Sequence, residues 1–477
     1  MSDPEVVAAP STVVLRSATG RGVLAAAILG TGMAFMDATI ANVATKTIGI
    51  EFHASFASLQ WVINGYQLTL ASLILLGGSL GDRLGRKRIY LIGVVWFAAA
   101  SLLCAVSWNV QTLIAARALQ GIGGALMTPG SLAIITSAFR VEDRAVAVGA
   151  WSGLSGVSTA LGPIVGGWLV QSASWRWAFG LNLPLAAAVV LLGIKFIPES
   201  RSEHRSKHLD YIGTFLVAAG LASLTYGLTR AGTTWDFSTV VSTGLGVVLL
   251  VAFTLYQLRT PGPLVPLGLF RNTTFSAANV MTFFTYAALG TLFTLLVLQL
   301  QIVAGYRPLL AGLSGLPVTA ALLLLSARSG ALATRIGPRL QLVAGPLIAA
   351  AGMALLMRID TTHRSYVYDV LPGVLVFALG LAALVAPLTA TVMGSAPAND
   401  VGIASAVNNA VARAAGLLGV AVLPSMAGLH AQNYLVPKTM SHGFRMVMLS
   451  CIALLIAGSA AATLIGRDKQ GHHGIHG

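Results

Sequence analysis

Apolar runs of roughly 20 residues, parted by short polar joints, recur along the whole chain, and no other feature restricts its fold so tightly. A run of that length, wound at about 1.5 Å per residue, matches a hydrocarbon core ~30 Å thick. Inside hydrocarbon a backbone must satisfy its own N–H and C=O groups, so each run is predicted to be a helix. Fourteen spans are predicted, at 22–42, 58–80, 89–107, 111–134, 146–170, 178–197, 211–228, 237–258, 275–300, 309–330, 341–357, 370–391, 404–427 and 444–465. With 56% hydrophobic residues and only 9% charged among 477, a soluble domain is excluded.

The net charge of +14 suggests a nucleic-acid partner until its distribution is followed. Basic residues crowd at alternate span ends: Arg16 and Arg21 before the first span, then Arg83, Arg86, Lys87, Arg88, Arg140, Arg144, Lys195, Arg201, Arg205, Lys207, Arg259, Arg271, Arg328, Arg335, Arg339, Arg467 and Lys469. The opposite ends carry fewer, namely Lys46, Arg176, Arg230, Arg307, Arg358, Arg364, Lys438 and Arg445. This asymmetry is that of membrane orientation and not of a nucleic-acid patch; it predicts both termini in the cytoplasm. The first span lacks a small-residue cleavage site and reads as a retained span. Cys104 and Cys451 have no partner spacing, so neither a disulfide nor a zinc site is implied.

Two six-span bundles, 22–197 and 275–465, are separated by an extra pair at 211–258. The tails 1–21 and 466–477 and the linkers 198–210 and 259–274 are predicted to be cytoplasmic. A weak repeat supports the division: Arg83-Leu84-Gly85-Arg86-Lys87 has an echo in Arg335-Ile336-Gly337-Pro338-Arg339, each between the second and third spans of its half. The predicted fold is therefore all-α and integral to the membrane, with pseudo-twofold bundles and two additional central helices. The polar linker from Glu199 to His208 is too charged to enter lipid, and the His-rich tail 471–477 reads as a loose end rather than a metal site.

Several residues carry chemistry on their own account. Gly78, Gly81 and Gly85 permit a tight turn, while Arg83, Arg86, Lys87 and Arg88 hold it at an anionic surface, which makes this loop a candidate moving joint. Asp37 is the one acid of fifteen predicted inside the hydrocarbon. A charge there costs ~2.5–3.5 kcal/mol, equivalent to about two pKa units if relieved by protonation, so Asp37 is the natural proton carrier. Depth arithmetic supplies Arg117 as its partner: Asp37 lies about 22 Å from the inner end of span one and Arg117 about 9 Å from the outer end of span four. Gly149, Gly153, Gly156, Gly162, Gly166 and Gly167 leave span five with little bulk, so a neighbour can approach along that stripe, and Pro163 bends it. Trp61, Asn64, Tyr66, Gln67, Phe283, Phe284, Tyr286, Asn408, Asn409 and Arg413 are candidates to line a substrate cavity, because aromatic and amide groups suit amphipathic ligands. With Arg117, Arg413 and a single acid the interior is neutral to positive, which favours neutral, zwitterionic or weakly acidic substrates over cations.

Enzyme readings fail. Gly153-Leu154-Ser155-Gly156 and Gly312-Leu313-Ser314-Gly315 match an intramembrane serine-protease pattern, but no histidine is predicted deep within a span to act as base. No phosphate-binding Gly-x-x-x-x-Gly-Lys-Ser/Thr loop is present, so the energy must come from a gradient, without a cofactor.

The same residues resemble the major facilitator superfamily, and within it the fourteen-span drug:proton antiporters, over nearly the whole chain. Gly78 to Arg88, with Asp82 and Arg86, is similar to the family's loop between spans two and three; Met36 to Val43 resembles the first-span motif of the fourteen-span branch. Leu113, Arg117, Gln120, Gly121 and Gly123 resemble the fourth-span motif. Gly149, Ser158, Gly162, Pro163, Gly166 and Gly167 resemble the fifth-span antiporter motif, although Ser158 stands where the family has glycine. The resemblance implies a proton-coupled multidrug exporter of the bacterial plasma membrane, working as a monomer by alternating access, with Asp82 gating the cytoplasmic face. Its partners would be small molecules, protons and lipids. Export of an endogenous lipid or envelope metabolite is the alternative within transport, and a non-transporting sensor or scaffold the alternative outside it.

Overall fold

Hydrocarbon leaves a backbone no partners but its own, and among the described residues the one β contact is an isolated bridge between Val13 and Phe139. The computed structural model describes residues 13–201, 210–231, 234–261, 263–397 and 400–466. Residues 1–12 of the predicted first tail, 202–209 of the linker, and Arg467, Lys469 and the His-rich 471–477 lie outside the described residues.

Fourteen helical spans are long and apolar enough to cross a bilayer. They are α1 (Ala18–Glu51), α2 (Phe56–Leu84), α3 (Arg86–Ala105), α4 (Val110–Ala138), α5 (Val141–Ser172), α6 (Trp175–Phe196), α7 (Tyr211–Ala231), α8 (Phe237–Gln257), α9 (Thr273–Ile302), α10 (Pro308–Ile336), α11 (Arg339–Leu356), α12 (Tyr366–Gly394), α13 (Val401–Met426) and α14 (Pro437–Ala462). Orphan amides at their starts are capped by side chains: Ser17 on α1, Ser55 on α2, Asn109 with Thr112 in a capping box on α4, Asp236 on α8 and Asn272 on α9.

Three spans outrun their predicted limits, and each extension has a partner or a place. The first span continues from 42 to Glu51, whose carboxylate accepts from Trp175 Nε1 and Arg176 Nη1, both at 2.6 Å. Lys46 is therefore a helix residue and not part of an outer loop. The start of α14 moves from 444 to Pro437 and takes Lys438, His442 and Arg445 into its first turns, where Arg445 Nε donates to the Met357 carbonyl at 3.1 Å. Likewise α10 runs on to Ile336 and carries Arg328 inside the helix.

Helix pairings repeat. The contacts α1 with α5, α2 with α4, α3 with α4 and α1 with α6 recur as α9 with α13, α10 with α12, α11 with α12 and α9 with α14. Between the two bundles, α7 and α8 pack on each other, and α7 also touches α2 and α13, one helix from each bundle. Trp61 and Tyr226 mark that contact, their ring centroids 6.5 Å apart. The pair is pinned at both ends, by Arg230 with Asp236 at 2.7 Å and by Gln257 with Asp210 at 2.6 Å. Val240, Val248, Val251 and Leu255 of α8 are exposed, as suits a lipid-facing helix.

The bundles meet at one end only. Lys46 Nζ donates to the Gln301 carbonyl at 2.8 Å and Gln301 Nε2 to the Val43 carbonyl at 3.1 Å. Gln60 Nε2 donates to the Val420 carbonyl at 2.5 Å, Ser425 Oγ to Gln60 Oε1 at 3.4 Å, Gln432 Nε2 to the His53 carbonyl at 2.8 Å and the Phe56 amide to the Ala431 carbonyl at 2.7 Å. All of these lie toward the face that bears Glu51. At the opposite face, which bears Gly85, no hydrogen bond joins the bundles among the described residues.

Candidate functional site

Asp37 and Arg117, each 1% exposed, are in contact: Arg117 Nη1 donates to Asp37 Oδ2 at 2.5 Å. The other carboxylate oxygen accepts from Gln120 Nε2 and from Asn182 Nδ2, both at 2.8 Å. Those two amides also reach Ser101 Oγ, at 2.7 and 3.1 Å, while Gln120 Oε1 accepts from Arg117 Nη1 at 2.5 Å. Arg117 Nε donates to the Val62 carbonyl at 3.2 Å, and its guanidinium lies 4.5 Å from the Tyr66 ring centroid and 5.5 Å from that of Phe179. Five helices thus converge on one neutral, hydrogen-bonded ion pair, the arrangement in which buried charges are tolerated. A proton on Asp37 would cancel the attraction and release Arg117, so the pair is a two-state element.

Sequence reasoning did not reach Asn182 or Ser101, and it took Gln120 only as part of a motif. A signal for Asn182 existed: it is an amide followed by Pro184 inside an otherwise apolar span, where α6 breaks at Leu181. Ser101 gave none, since a lone serine in a membrane helix commonly bonds its own backbone.

The glycines of α5 do not form one stripe. Gly162 and Gly166 face α1: a Cβ on Gly162 would lie 2.9 Å from the Met36 carbonyl oxygen and collide with Thr39 Oγ1, and one on Gly166 would meet Ile40 at 2.8 Å. Ser158 presses the same helix at Gly32. Gly167 faces α10 instead, with its Cβ position 2.6 Å from Leu309 Cα, and Gly312 approaches Pro163 as closely from the other side. Farther toward the Gly85 face, Gly156 is 3.7 Å from Leu323 by the same measure, and Gly149 and Gly153 have nothing within 4 Å. The α5–α10 contact is therefore tight at one end and parted at the other. Gly162→Leu is expected to cost about 1–3 kcal/mol by overpacking and to stop transport by pushing α1 away beside Asp37; Gly149→Leu, in open space, should leave thermal unfolding unchanged. Equal unfolding temperatures and flux for Gly162→Leu and the unsubstituted protein would remove the close-packing argument.

In the basic loop, Gly85 adopts φ +114°, a left-handed turn that lets α2 pass directly into α3. Asp82 Oδ1 accepts from Arg86 Nε at 2.9 Å and Nη2 at 2.8 Å, within one bundle and not across the seam. Glu199, read from sequence only as linker, caps α3: its carboxylate accepts from the Lys87 and Arg88 amides at 3.1 and 3.2 Å. Lys87 Nζ reaches the Ile194 carbonyl at 2.9 Å, so the loop is fastened to the end of α6. Gly78 rests beside Pro129, and Gly81 is buried against Arg86.

The ten cavity candidates divide. Trp61 turns to α7, Phe284 stacks edge-on to Phe283 beside Gly458 of α14, and Asn408 Nδ2 is engaged inside the second bundle by Asn279 Oδ1 at 3.1 Å and Thr282 Oγ1 at 2.8 Å. One helical turn from Gln60 at the seam, Asn64 is 1% exposed and neither amide atom has a partner; Gln67 Oε1 is also unpartnered. Arg413 Nε donates to Asn409 Oδ1 at 3.0 Å, and Arg413 lies within electrostatic reach of Tyr66 and Tyr286. The seam thus gathers Asn64, Tyr66, Gln67, Tyr286, Asn409 and Arg413. Among the described residues no group of three or more His, Cys, Asp or Glu side chains could hold a metal ion.

The sequence profile of the Major Facilitator Superfamily matches residues 27–420. A tetracenomycin C resistance and export protein of Streptomyces glaucescens is 35% identical over 426 residues, which cover 87% of this chain and 78% of that protein. A puromycin resistance protein of Streptomyces alboniger is 32% identical over 443 residues, 90% of this chain and 88% of that one. Among solved structures, the peptide transporter POT in complex with sulfate superposes with a TM-score of 0.68 at 15% identity, over 96% of this chain and 97% of that chain, a likeness of fold.

Proposed function

The chain belongs to the Major Facilitator Superfamily, a family of transporters and not of enzymes, and on that premise we propose that it exports small amphipathic compounds from a bacterial cell in exchange for protons. The observation that carries the proton is the Asp37–Arg117 pair, buried at 1% exposure with its carboxylate held by three side chains. Asp37 loads from the outside, when the Glu51 face opens; loading breaks the ion pair, and unloading on the inside re-forms it. The resistance and export names of the relatives support antibiotics or similar compounds as the cargo. The Gly85 face, with its basic loop, is the cytoplasmic one in this reading, so the bundles are closed outward and parted inward. Glu199 and Asp82 then hold the loop that must close when the cycle reverses.

Inside-out vesicles with an acidic lumen test this directly. A compound panel that includes puromycin is expected to yield at least one species that accumulates in the lumen and escapes when a protonophore is added. Accumulation that persists without any proton gradient would rule out the coupling.

A further inference from the structure

Four ionisable side chains lie inside the spans near the seam, and their charges do not balance. Asp37 is neutralised by Arg117. Lys46, half-buried in α1, reaches only the Gln301 carbonyl, and Arg413, half-buried in α13, reaches only Asn409 Oδ1 through Nε. The Nη groups of Arg413 have no hydrogen-bond partner among the described residues, and the titratable groups acting on it are Tyr66 and Tyr286, with no carboxylate. A guanidinium without a counter-ion at this depth is expensive unless it meets water or an anion. It is also flanked by two phenol rings, one from each bundle, and close to the unpartnered amides of Asn64 and Gln67. Aromatic walls, free amides and an unpaired planar cation together make a site for a flat, oxygen-rich anion.

We propose that Arg413 is the substrate seat, and that the cargo of this exporter is an aromatic organic anion whose carboxylate, phenolate or sulfonate pairs with the guanidinium while its ring system lies between Tyr66 and Tyr286. The inference rests on the export reading and names its substrate class. Because Tyr66 belongs to the first bundle and Arg413, Asn409 and Tyr286 to the second, opening the Glu51 face pulls the seat apart, so release comes from geometry even though the interior stays positive. Lys46, freed from Gln301 at that moment, keeps the exit attractive to an anion.

Two xanthene dyes of similar shape and opposite charge provide the test: fluorescein, an anion, and rhodamine 6G, a cation. Binding to the purified full-length protein is read by fluorescence anisotropy without any gradient, so the result is independent of proton coupling, and a failure of coupling in vesicles would leave it standing. The unsubstituted protein is expected to bind fluorescein more tightly than rhodamine 6G. Arg413→Gln should weaken fluorescein by about tenfold or more, the scale of a lost charged hydrogen bond, without weakening rhodamine 6G. Arg413→Lys should retain part of the fluorescein affinity. A tighter fit for rhodamine 6G in the unsubstituted protein overturns the proposal even if the variants misfold; so does an equal loss of both dyes, or no loss of fluorescein, in Arg413→Gln.

Discussion

Replacing Asp37 with asparagine is expected to abolish uphill export while the protein still folds and reaches the membrane in normal amount. Asparagine has nearly the same volume, and its amide can present oxygen to Arg117 while Gln120 and Asn182 flip to accept from its nitrogen, so most of the hydrogen bonds in the pocket survive. What is lost is the titration. Among the described residues every other carboxylate sits at or beyond a helix end, as Glu51, Asp82, Glu142, Asp143 and Asp369 do, so no second acid stands ready in the interior. Proton release on substrate addition should vanish and a pH gradient should drive nothing, while substrate binding persists and loses most of its pH dependence. Proton flux and substrate affinity against pH, measured on both proteins in proteoliposomes, check this; uphill export by Asp37→Asn would place the proton elsewhere.

A comparable loss, this time of the fold itself, is expected from Arg117→Met. Removing one partner of a buried pair leaves an uncompensated charge, at a cost of about 3–5 kcal/mol. Stacking on Tyr66 and Phe179 and the bond to the Val62 carbonyl disappear as well. The double substitution Asp37→Asn with Arg117→Met should recover most of that stability, because both charges are gone, and none of the transport. Thermal unfolding in detergent separates the cases: a single Arg117→Met protein as stable as the unsubstituted one would mean that the pair is not what holds α1 to α4.

The number of spans and the depth of Asp37 and Arg117 were legible because both follow from one-dimensional quantities, apolar length and helical rise. Span ends were less so. Glu51 extends α1 through a bond to Trp175, more than a hundred residues away in sequence, and no local pattern announces it. Helix rotation was the other blind quantity. Glycines seven residues apart look like one stripe in sequence, yet Gly162 turns to α1 and Gly167 to α10, since the neighbours of a helix differ along its length. For the same reason Trp61 and Asn64, three residues apart, face α7 and the seam respectively. Glu199 was hidden by its context: a charged run reads as solvated linker, whereas its first carboxylate is spent on the orphan amides of α3.

The bonds that close the Glu51 face are nearly all between neutral groups: glutamine amides, a serine hydroxyl and backbone carbonyls, with Lys46 the one charged donor and no carboxylate opposite it. A neutral bond exchanged for water is worth about 0.5–1.5 kcal/mol, and a charge crossing a membrane at 100 mV releases about 2.3 kcal/mol. Latch and drive are therefore of one order. Had the same face been shut by buried ion pairs, each costing ~3–5 kcal/mol to sever, a single ion moving down its gradient could not reopen it, and the molecule would rest in one state. Weak, numerous and uncharged fastenings let a modest electrochemical force turn the cycle in either direction.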